Sequence, residues 1–216
     1  MSAVAGDLVL FGDDRWTSPY VFSVFVTLEE KGIEYRIELI SLQEKEHRRA
    51  EYCEPSVTGR VPAIRHGDFW LAESSTIEEY LDETFPPPKW PRMYPEDARE
   101  RARVRMVQAF VRSDLLPLRL ERPTSTLFAR EQPKPLTAEG KASAERLVRI
   151  ASRIIRDPAG FVASRFSPAD ADLALMIQRL AVNGDECPEP LHAYANAIFA
   201  RPSVRKWLAH TKWKDR

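Results

Sequence analysis

The stretch Gly59-Arg-Val-Pro-Ala-Ile-Arg-His-Gly-Asp-Phe-Trp-Leu-Ala-Glu-Ser-Ser-Thr-Ile77 decides the fold of the first half of the chain. Two apolar runs within it, residues 62–66 and 69–71, flank Gly67-Asp68, and two strands joined by two such residues form a hairpin. Residues 74–85 then place apolar side chains at helical spacing. The sequence therefore predicts a β-hairpin that leads directly into a helix.

A strand, a helix and a second strand precede the hairpin. Residues 8–11 form a short apolar run that is typical of a buried strand, and the helix pattern of residues 18–31 begins at Ser18-Pro19 and ends before Gly32. Residues 34–40 alternate apolar and charged side chains, which favours a strand. The first half is therefore predicted to be a small α/β domain that begins with a strand–helix–strand unit.

The charge distribution divides the 216-residue chain into two parts. The whole chain carries 32 basic and 32 acidic side chains, but residues 1–90 have 9 basic and 17 acidic ones, whereas residues 91–216 have 23 and 15. The segment from Phe85 to Pro95 contains five prolines, and proline cannot continue a helix or a central strand because it lacks an N–H group. We place the domain boundary in this segment.

The second half shows helix patterns and no convincing strand pattern. Its apolar residues recur mostly at three- and four-residue spacing, the pattern of helices with one apolar face. We predict a loop around residues 122–136 and helices at 98–116, 137–156, 168–182, 190–200 and 202–210. The predicted organisation is a domain at residues 1–86, a linker at 87–97 and an all-α domain at 98–216.

Composition disfavours several classes of protein. Apolar residues make up 44% of the chain, enough to build packed cores, and no apolar run approaches the roughly 20 residues needed to span a bilayer. The zero net charge disfavours a nucleic-acid partner. The two cysteines form no CxxC motif and the four histidines show no metal-ligand spacing, so we expect no disulfide scaffold and no metal. The N-terminus lacks signal-peptide features, which indicates a cytoplasmic protein without a membrane partner.

The first candidate for chemistry is Ser18, at the predicted N-terminus of the first helix. Backbone N–H groups lack helical partners at such an end, and the end favours negative charge. A hydroxyl that donates a hydrogen bond to a bound thiolate would lower the pKa of that thiol from about 8.5. The alternative is that Ser18 only caps the helix, with Pro19 at the first helical position, which is a common pairing.

A second candidate is Val61-Pro62, which precedes the third strand. If the peptide bond between the two residues is cis, the backbone N–H and C=O of Val61 could point outward and pair with a peptide-like ligand, as in strand addition. The alternative is an ordinary loop proline. Both interpretations stay open at the level of the sequence.

A third candidate is Glu73-Ser74, which follows the fourth strand and begins a helix. Ser74 and the N–H groups of a helix N-terminus suit a carboxylate, and Glu73 suits an ammonium group, so the pair could recognise an amino-acid head group. The alternative is purely structural. Ser75 and Glu78 match the S-x-x-E pattern of a capping box, which many helices have.

The order of these parts resembles the thioredoxin-like domain of the glutathione transferases. The resemblance rests on the strand, the Ser-Pro helix start, the second strand, Gly59-Arg-Val-Pro-Ala63 and Ala72-Glu-Ser-Ser-Thr-Ile-Glu-Glu-Tyr-Leu81. It covers nearly the whole chain and is closest to the bacterial YfcF-type, serine-type branch, through Thr17-Ser-Pro-Tyr-Val21, Arg112-Ser-Asp-Leu-Leu-Pro117, Glu121-Arg-Pro-Thr124 and Pro135-Leu-Thr-Ala-Glu-Gly-Lys141. It implies an α+β fold in which a βαβ-α-ββα thioredoxin-like domain precedes an all-α domain.

The resemblance implies glutathione as ligand and co-substrate, with no separate cofactor. The sulfur of glutathione would meet Ser18, the catalytic residue, and the tripeptide would be bound by Arg60, Val61, Pro62 in cis, Glu73 and Ser74. Arg60 is a weaker candidate, for the glycyl end. Branches that form mixed disulfides have a cysteine where Ser18 stands, and this chain has no cysteine before Cys53, so a cysteine-relay mechanism is disfavoured.

The resemblance also implies a homodimer and a co-substrate pocket supplied by the helical domain. The candidate pocket residues are Trp16, Met106, Phe110, Arg119 and Arg122, and the alternative for the methionine and phenylalanine is simple core. Ser167 and Asp170 are predicted to form a structural capping box at the start of the helix at 168–182. Losing such a cap costs about 1 kcal/mol.

The predicted function is that of a glutathione S-transferase, in which Ser18 activates the glutathione thiol for attack on a small electrophile. If the acceptor is a peroxide or a disulfide, the activity would be that of a glutathione-dependent peroxidase or disulfide reductase. Detoxification and the response to oxidative stress are the corresponding cellular roles. The alternative is a non-catalytic glutathione-binding module with a ligand-carrying or regulatory role.

Overall fold

The computed structural model describes residues 7–213, and its chain divides into two compact units at residues 93 and 94. This division falls inside the segment that the sequence predicts to be a linker. The first unit contains a sheet and helices, as predicted for the first half. The described part of the second unit, residues 94–213, contains helices and no strand.

The first unit is built on a four-stranded mixed sheet in the order β2-β1-β3-β4. Its strands are β1 (Leu8–Asp13), β2 (Arg36–Ile40), β3 (Ala63–His66) and β4 (Phe69–Ala72). β1 runs parallel to β2 and antiparallel to β3, and β3 runs antiparallel to β4. The predicted hairpin is confirmed, with Gly67 in the turn at φ 63°, a left-handed conformation that glycine adopts without steric cost.

Three helices accompany this sheet: α1 (Pro19–Lys31), α2 (Ala50–Ser56) and α3 (Ser74–Thr84), with a 3₁₀ turn at Glu46–Arg48. α1 begins and ends where the sequence predicts. The Ser18 side chain accepts a hydrogen bond from the Val21 N–H at its start, and Gly32 closes its end at φ 63°. The order of elements is the βαβ-α-ββα order of a thioredoxin-like domain.

The capping box predicted for Ser75 and Glu78 is wrong. α3 begins at Ser74, with Glu73 as its N-cap residue, and Glu78 lies fully buried in the next turn. There its carboxylate accepts a hydrogen bond from the hydroxyl of Ser23 on α1. A buried carboxylate must be hydrogen-bonded. In a capping box the donor to Glu78 would be a backbone N–H at the start of its own helix, but in the structure the donor is a side chain of α1.

The second unit contains seven helices within residues 94–213: α4 (Ala98–Ser113), α5 (Leu116–Glu121), α6 (Thr124–Phe128), α7 (Ala138–Ile154), α8 (Pro168–Ala181), α9 (Glu189–Phe199) and α10 (Pro202–Leu208). None of the helices in the described part of the chain is both long and apolar enough to cross a membrane. The predicted domain architecture, a thioredoxin-like domain followed by a helical one, is confirmed.

Two boundaries of the second unit differ from the prediction. α4 ends at Ser113 instead of continuing to residue 116, because Pro117 has no N–H to donate to a preceding turn and instead occupies the first turn of α5. The predicted loop around residues 122–136 contains α6, a short helix whose side chains at Leu127 and Phe128 are buried. Their burial in the core of the unit stabilises a helical turn that local patterning does not indicate.

Asp170 ties three segments of the second unit together. The predicted capping box is present at the start of α8, where the Ser167 N–H donates to the Asp170 carboxylate at 2.8 Å. The same carboxylate accepts from the Val162 N–H at 2.7 Å and from the Tyr194 hydroxyl of α9 at 2.8 Å. Burial raises the pKa of Asp170. The Asp170 side chain therefore caps α8 and also joins α8 to the segment at Val162 and to α9.

Candidate active site

The register of the sheet brings the three candidate stretches to one end of it. Phe11 of β1 pairs with Ala63 of β3, and Ala63 pairs with Ala72 of β4. Because β3 is antiparallel to both neighbours, the segment after β1, the segment before β3 and the segment after β4 lie at the same end of the sheet. These segments contain Ser18, Val61-Pro62 and Glu73-Ser74 respectively.

Ser18 lies half-buried at the N-terminus of α1. Its Oγ accepts the Val21 N–H at 3.3 Å, which confirms that the residue caps the helix. The hydroxyl hydrogen has no acceptor among residues 7–213, so it can be donated to a ligand while the cap is kept. Capping and ligand contact are compatible at this oxygen.

The loop that leads to Ser18 is organised by Asp13, a residue that sequence reasoning missed. Asp13 is the last residue of β1 and is 2% exposed. Its Oδ2 accepts from the Thr17 N–H at 2.7 Å and from the Thr17 hydroxyl at 3.0 Å, and its Oδ1 accepts from the Ser18 N–H at 3.0 Å. The available signal was an aspartate at a strand end a few residues before a helix cap, a position at which Asp side chains bind nearby backbone N–H groups.

The peptide bond between Val61 and Pro62 is cis, as the resemblance implies. Tyr52 of α2 holds this segment in place, because its hydroxyl donates a hydrogen bond to the Arg60 carbonyl at 2.7 Å. Tyr52 packs edge-on against Phe11, with 5.5 Å between the ring centroids, and burial raises the pKa of its hydroxyl. α2 thus holds the backbone just before Val61 against the sheet. The Arg60 side chain itself is exposed.

Glu73 and Ser74 lie at the junction between β4 and α3. Glu73 is exposed and has φ 71°, an uncommon backbone conformation for a residue with a side chain, whereas Ser74 is 4% exposed. The first N–H groups of α3 have no acceptor within the helix. An exposed carboxylate, a serine and a helix N-terminus therefore meet where the sequence predicts an amino-acid head group.

The predicted pocket residues belong to different units and have different environments. Trp16, in the first unit, is half-buried and packs edge-on against Phe25 at 5.9 Å. In the second unit Met106 is 56% exposed, so the alternative that it is a core residue is wrong. Phe110 is half-buried under the Arg146 guanidinium, 5.7 Å from the ring centroid, and Arg119 is half-buried.

Arg122 is fixed inside the second unit. It is 3% exposed, and its guanidinium makes a two-point ion pair with Asp185, at 2.5 Å and 2.7 Å. The same group donates to the carbonyls of Glu121 and Lys134, each at 2.9 Å. Four of its five N–H donors are engaged, which favours a structural role over contact with a co-substrate.

A cavity of about 220 Å³ in the second unit is lined by none of the predicted pocket residues. Arg130, Glu131, Asn183 and Trp213 are among the residues that line it. Within residues 7–213 no group of three or more histidine, cysteine, aspartate or glutamate side chains could hold a metal ion. Cys53 and Cys187 are both unpaired thiols.

Together these groups can bind a ligand that has a peptide backbone, an amino-acid head group and one polarisable atom. Val61 offers backbone hydrogen bonds, and the N-terminus of α3 offers donors and an adjacent carboxylate. The N-terminus of α1 offers N–H groups and the Ser18 hydroxyl, which together favour a negatively charged atom. A thiolate is such an atom.

Each half of the chain matches a known protein family. The family described as glutathione S-transferase, N-terminal domain, matches residues 17–84, and the one described as glutathione S-transferase, C-terminal domain, matches residues 97–212. A solved structure of a glutathione transferase homolog from Burkholderia, with bound glutathione, has a TM-score of 0.78 and 35% sequence identity. That match covers 94% of this chain and 96% of the other.

Two curated relatives extend the comparison. A stringent starvation protein A homolog from Pasteurella multocida is 29% identical over 209 residues, 93% of this chain and 90% of the relative. A probable maleylacetoacetate isomerase from Vibrio cholerae is 30% identical over 113 residues, 51% of this chain and 50% of the relative. The chain spans half or less of the length of several curated relatives that it matches. On the matches to both domains and to the glutathione-bound structure, the chain belongs to the glutathione S-transferase family.

Proposed function

We propose that this protein is a glutathione transferase in which the Ser18 hydroxyl donates a hydrogen bond to the thiolate of bound glutathione. The observation that supports the proposal most directly is the convergence of Ser18, Val61-Pro62 and Glu73-Ser74 at one end of the sheet. The glutathione bound by the Burkholderia homolog, at 35% identity, supports the choice of ligand. The assignment to the YfcF-type branch stays a prediction.

The binding roles proposed for these residues follow from their chemistry. The γ-glutamyl carboxylate would accept hydrogen bonds from Ser74 and from the first N–H groups of α3, while the Glu73 carboxylate pairs with the ammonium group. The cysteinyl part of the peptide would pair with the backbone of Val61. Arg60, which is exposed, would meet the glycyl carboxylate.

The proposed reaction begins with loss of the thiol proton to solvent. The sulfur lone pair then forms a bond to the electrophilic atom of the second substrate, and the leaving group departs with the electrons of the bond that breaks. With a hydroperoxide, the sulfur attacks the terminal oxygen, the O–O bond breaks and glutathione sulfenic acid forms, while the other oxygen leaves as an alcohol after it takes up a proton from solvent. A second glutathione then gives glutathione disulfide and water. The protein supplies no redox group in this scheme.

Ultraviolet titration of bound glutathione thiolate, with the dissociation constant measured alongside, tests the proposal. We expect the wild type to lower the thiol pKa below about 8.5 and Ser18→Ala to return it toward that value while binding is kept. Ser113→Ala, an exposed serine at the end of α4, is the matched control and should behave as the wild type. An unshifted thiol pKa in the wild type would count against the transferase mechanism.

The alternative function is a glutathione-binding module without catalysis, and one observation favours it. A relative that aligns over nearly the whole chain has a name that describes no transferase. Tight glutathione binding with no turnover of halide, hydroperoxide or mixed-disulfide substrates would support this alternative. Turnover of any of the three would exclude it.

A homodimer and a cytoplasmic location are also part of the proposal. The homodimer comes from the family resemblance, and the cytoplasmic location is the expectation from the sequence given above. Sedimentation of the purified protein with and without glutathione would test the first, since a homodimer of a 24.8 kDa chain and a monomer sediment differently. Fractionation of the source cells would test the second.

A further inference from the structure

We propose that Asp13 is a positioning residue, which holds the loop before α1 so that the Ser18 hydroxyl faces the glutathione sulfur. The proposal rests on the proposed function for the role of Ser18. It adds a residue that makes no contact with the ligand itself and acts through Ser18. The family resemblance is carried by other positions.

Asp13 binds the loop with all of its acceptor groups. Its carbonyl accepts from the Trp16 N–H at 3.1 Å, its Oδ2 accepts from the N–H and the hydroxyl of Thr17, and its Oδ1 accepts from the Ser18 N–H at 3.0 Å. Asp13 is 2% exposed, so water cannot replace these partners easily. The last residue of β1 is therefore connected directly to the residue proposed to act on the thiolate.

The backbone of the loop needs such a restraint. Trp16 has φ 54°, a left-handed conformation that residues with side chains adopt uncommonly. Ser18 is restrained on both sides, because its N–H donates to Asp13 and its Oγ accepts from Val21. With these two contacts in place, the Ser18 Oγ atom is held in one position before any ligand arrives.

If Asp13 acts by positioning Ser18, its neutralisation should change the thiol pKa of glutathione in one direction. If it acts by its charge alone, the pKa should change in the opposite direction. A buried negative charge near the site disfavours a second negative charge, so by Coulomb repulsion alone the Asp13 carboxylate raises the thiol pKa and its neutralisation would lower it. If instead Asp13 acts by orienting Ser18, its neutralisation misplaces the hydroxyl and raises the thiol pKa. The sign of the change separates the two effects.

Asp13→Asn is the informative substitution, with Asp14→Asn as its control. Asparagine keeps the size of the side chain but has one acceptor oxygen in place of two, so it cannot accept from both Thr17 and Ser18 in the same way. Asp14 is the next residue and carries the same charge, but it is exposed. A change seen in the first variant and absent from the second is therefore due to the buried contacts.

The experiment measures the thiol pKa of bound glutathione, kcat and KM in the wild type, Asp13→Asn, Asp14→Asn, Ser18→Ala and the Asp13→Asn/Ser18→Ala double variant. We expect Asp13→Asn to raise the pKa toward about 8.5 and to lower kcat by roughly 10- to 100-fold, the effect of a misplaced catalytic group, with a smaller change in KM. On the Ser18→Ala background it should change the pKa no further. A lowered or unchanged pKa in Asp13→Asn, or an equal shift on both backgrounds, would overturn the proposal.

Two further measurements separate this proposal from the proposed function. Amide hydrogen exchange at Thr17 and Ser18 should become faster in Asp13→Asn and stay unchanged in Asp14→Asn; equal rates in all three proteins would overturn the positioning role. If the wild type does not lower the thiol pKa, the proposed function has failed, and the exchange rates still decide whether Asp13 holds the loop.

If Asp13→Asn does not fold, Thr17→Val removes one of the three side-chain contacts. It should raise the thiol pKa by a smaller amount, and an unchanged pKa would overturn the proposal.

Discussion

The Ser18 oxygen accepts the Val21 N–H and carries a hydrogen that can be donated to a ligand. A serine at the N-cap position has both properties, because one lone pair faces the helix and the hydroxyl rotates about the remaining directions. The sequence presented capping and thiol activation as alternatives. In the structure they are compatible at the same atom.

Gly59 shows how a single residue supports the segment that contains Val61. It has φ +57°, and a Cβ atom added there would lie 2.9 Å from Cys53 Sγ and 3.3 Å from the His47 carbonyl. Gly67 has a similar φ of +63° but open space around it. A side chain at Gly67 would cause backbone strain alone, whereas a side chain at Gly59 would cause backbone strain and a steric clash.

We predict that Gly67→Ala destabilises the protein by about 1–2 kcal/mol and that Gly59→Ala costs about 1–3 kcal/mol more. Gly59→Ala should also weaken glutathione binding, since the crowding displaces the Val61 segment. Urea unfolding and a binding titration are the measurements. Cys53→Ala combined with Gly59→Ala should recover part of the loss, and equal destabilisation by the two glycine substitutions would contradict the crowding argument.

At the scale of elements, the capping box of α8 is the clearest agreement between sequence and structure. Ser167 and Asp170 were identifiable as a cap because their spacing matches a local pattern. The contacts of Asp170 with Val162 and Tyr194 were not identifiable, because they join segments that are distant in the sequence. The stability that depends on Asp170 is therefore larger than a cap alone provides.

We predict that Asp170→Ala destabilises the second unit by about 3 kcal/mol or more, because it leaves several buried donors without an acceptor. Tyr194→Phe, which removes one of these donors together with its hydrogen bond, should cost about 1 kcal/mol. Both values come from urea unfolding. A loss of only about 1 kcal/mol for Asp170→Ala would mean that the residue acts as a helix cap and nothing more.

The junction between α5 and α7 provides a second element-scale test. The Glu121 carboxylate accepts from the Thr137 hydroxyl at 2.6 Å and from the Thr137 N–H at 2.7 Å, at the N-terminus of α7. These hydrogen bonds lower the pKa of Glu121 below its ordinary 4.5. The folded state then holds the proton less tightly than the unfolded state, so the stabilisation is present above about pH 4.5 and is lost as the pH falls through the folded-state pKa.

We predict that Glu121→Gln lowers the free energy of unfolding at pH 7 and that its difference from the wild type shrinks below about pH 4.5. Glu145→Gln, an exposed residue on α7, is the control and should show no such pH dependence. Unfolding curves at a series of pH values provide the comparison. A difference that grows on acidification would mean that the sign of this linkage is wrong.

At the scale of the whole molecule, the chain is divided by a proline-rich segment whose last residues are held by the first unit. Lys31 of α1 is 1% exposed and donates to Asp82 of α3 at 3.0 Å and to the Pro91 carbonyl at 2.7 Å. Asp82 also accepts from the Met93 N–H at 2.6 Å. Burial lowers the pKa of Lys31. The path of the chain out of the first unit thus depends on a buried ion pair.

We predict that Lys31→Met destabilises the first unit by about 3–5 kcal/mol, because it breaks a buried ion pair by removing one of the two partners. Lys31→Met combined with Asp82→Asn should recover part of this loss, since the amide oxygen can still accept from Met93. Urea unfolding of the three proteins is the measurement. No recovery in the double variant would indicate that the Pro91 contact matters more than the charge.

The sequence by itself determined the strand–helix–strand unit, the hairpin and the helix that follows it, and it predicted a domain boundary and three candidate stretches. These features depend on local physics: hydrophobic periodicity, the missing N–H of proline, the φ values open to glycine and the hydrogen bonds of helix caps. For the same reason the ends of α1 and the hairpin turn were predicted correctly. A local pattern is sufficient where neighbouring residues are the main partners.

The tertiary structure decided which polar groups are buried together and therefore what they do. Glu78 bonds to Ser23 on another helix instead of capping its own, and the buried guanidinium of Arg122 is paired with Asp185. Asp13 is an ordinary strand-end aspartate in the sequence and becomes the organiser of the Ser18 loop only when folded. The physical reason is that a buried charge requires partners, and packing, which depends on the whole chain, selects them.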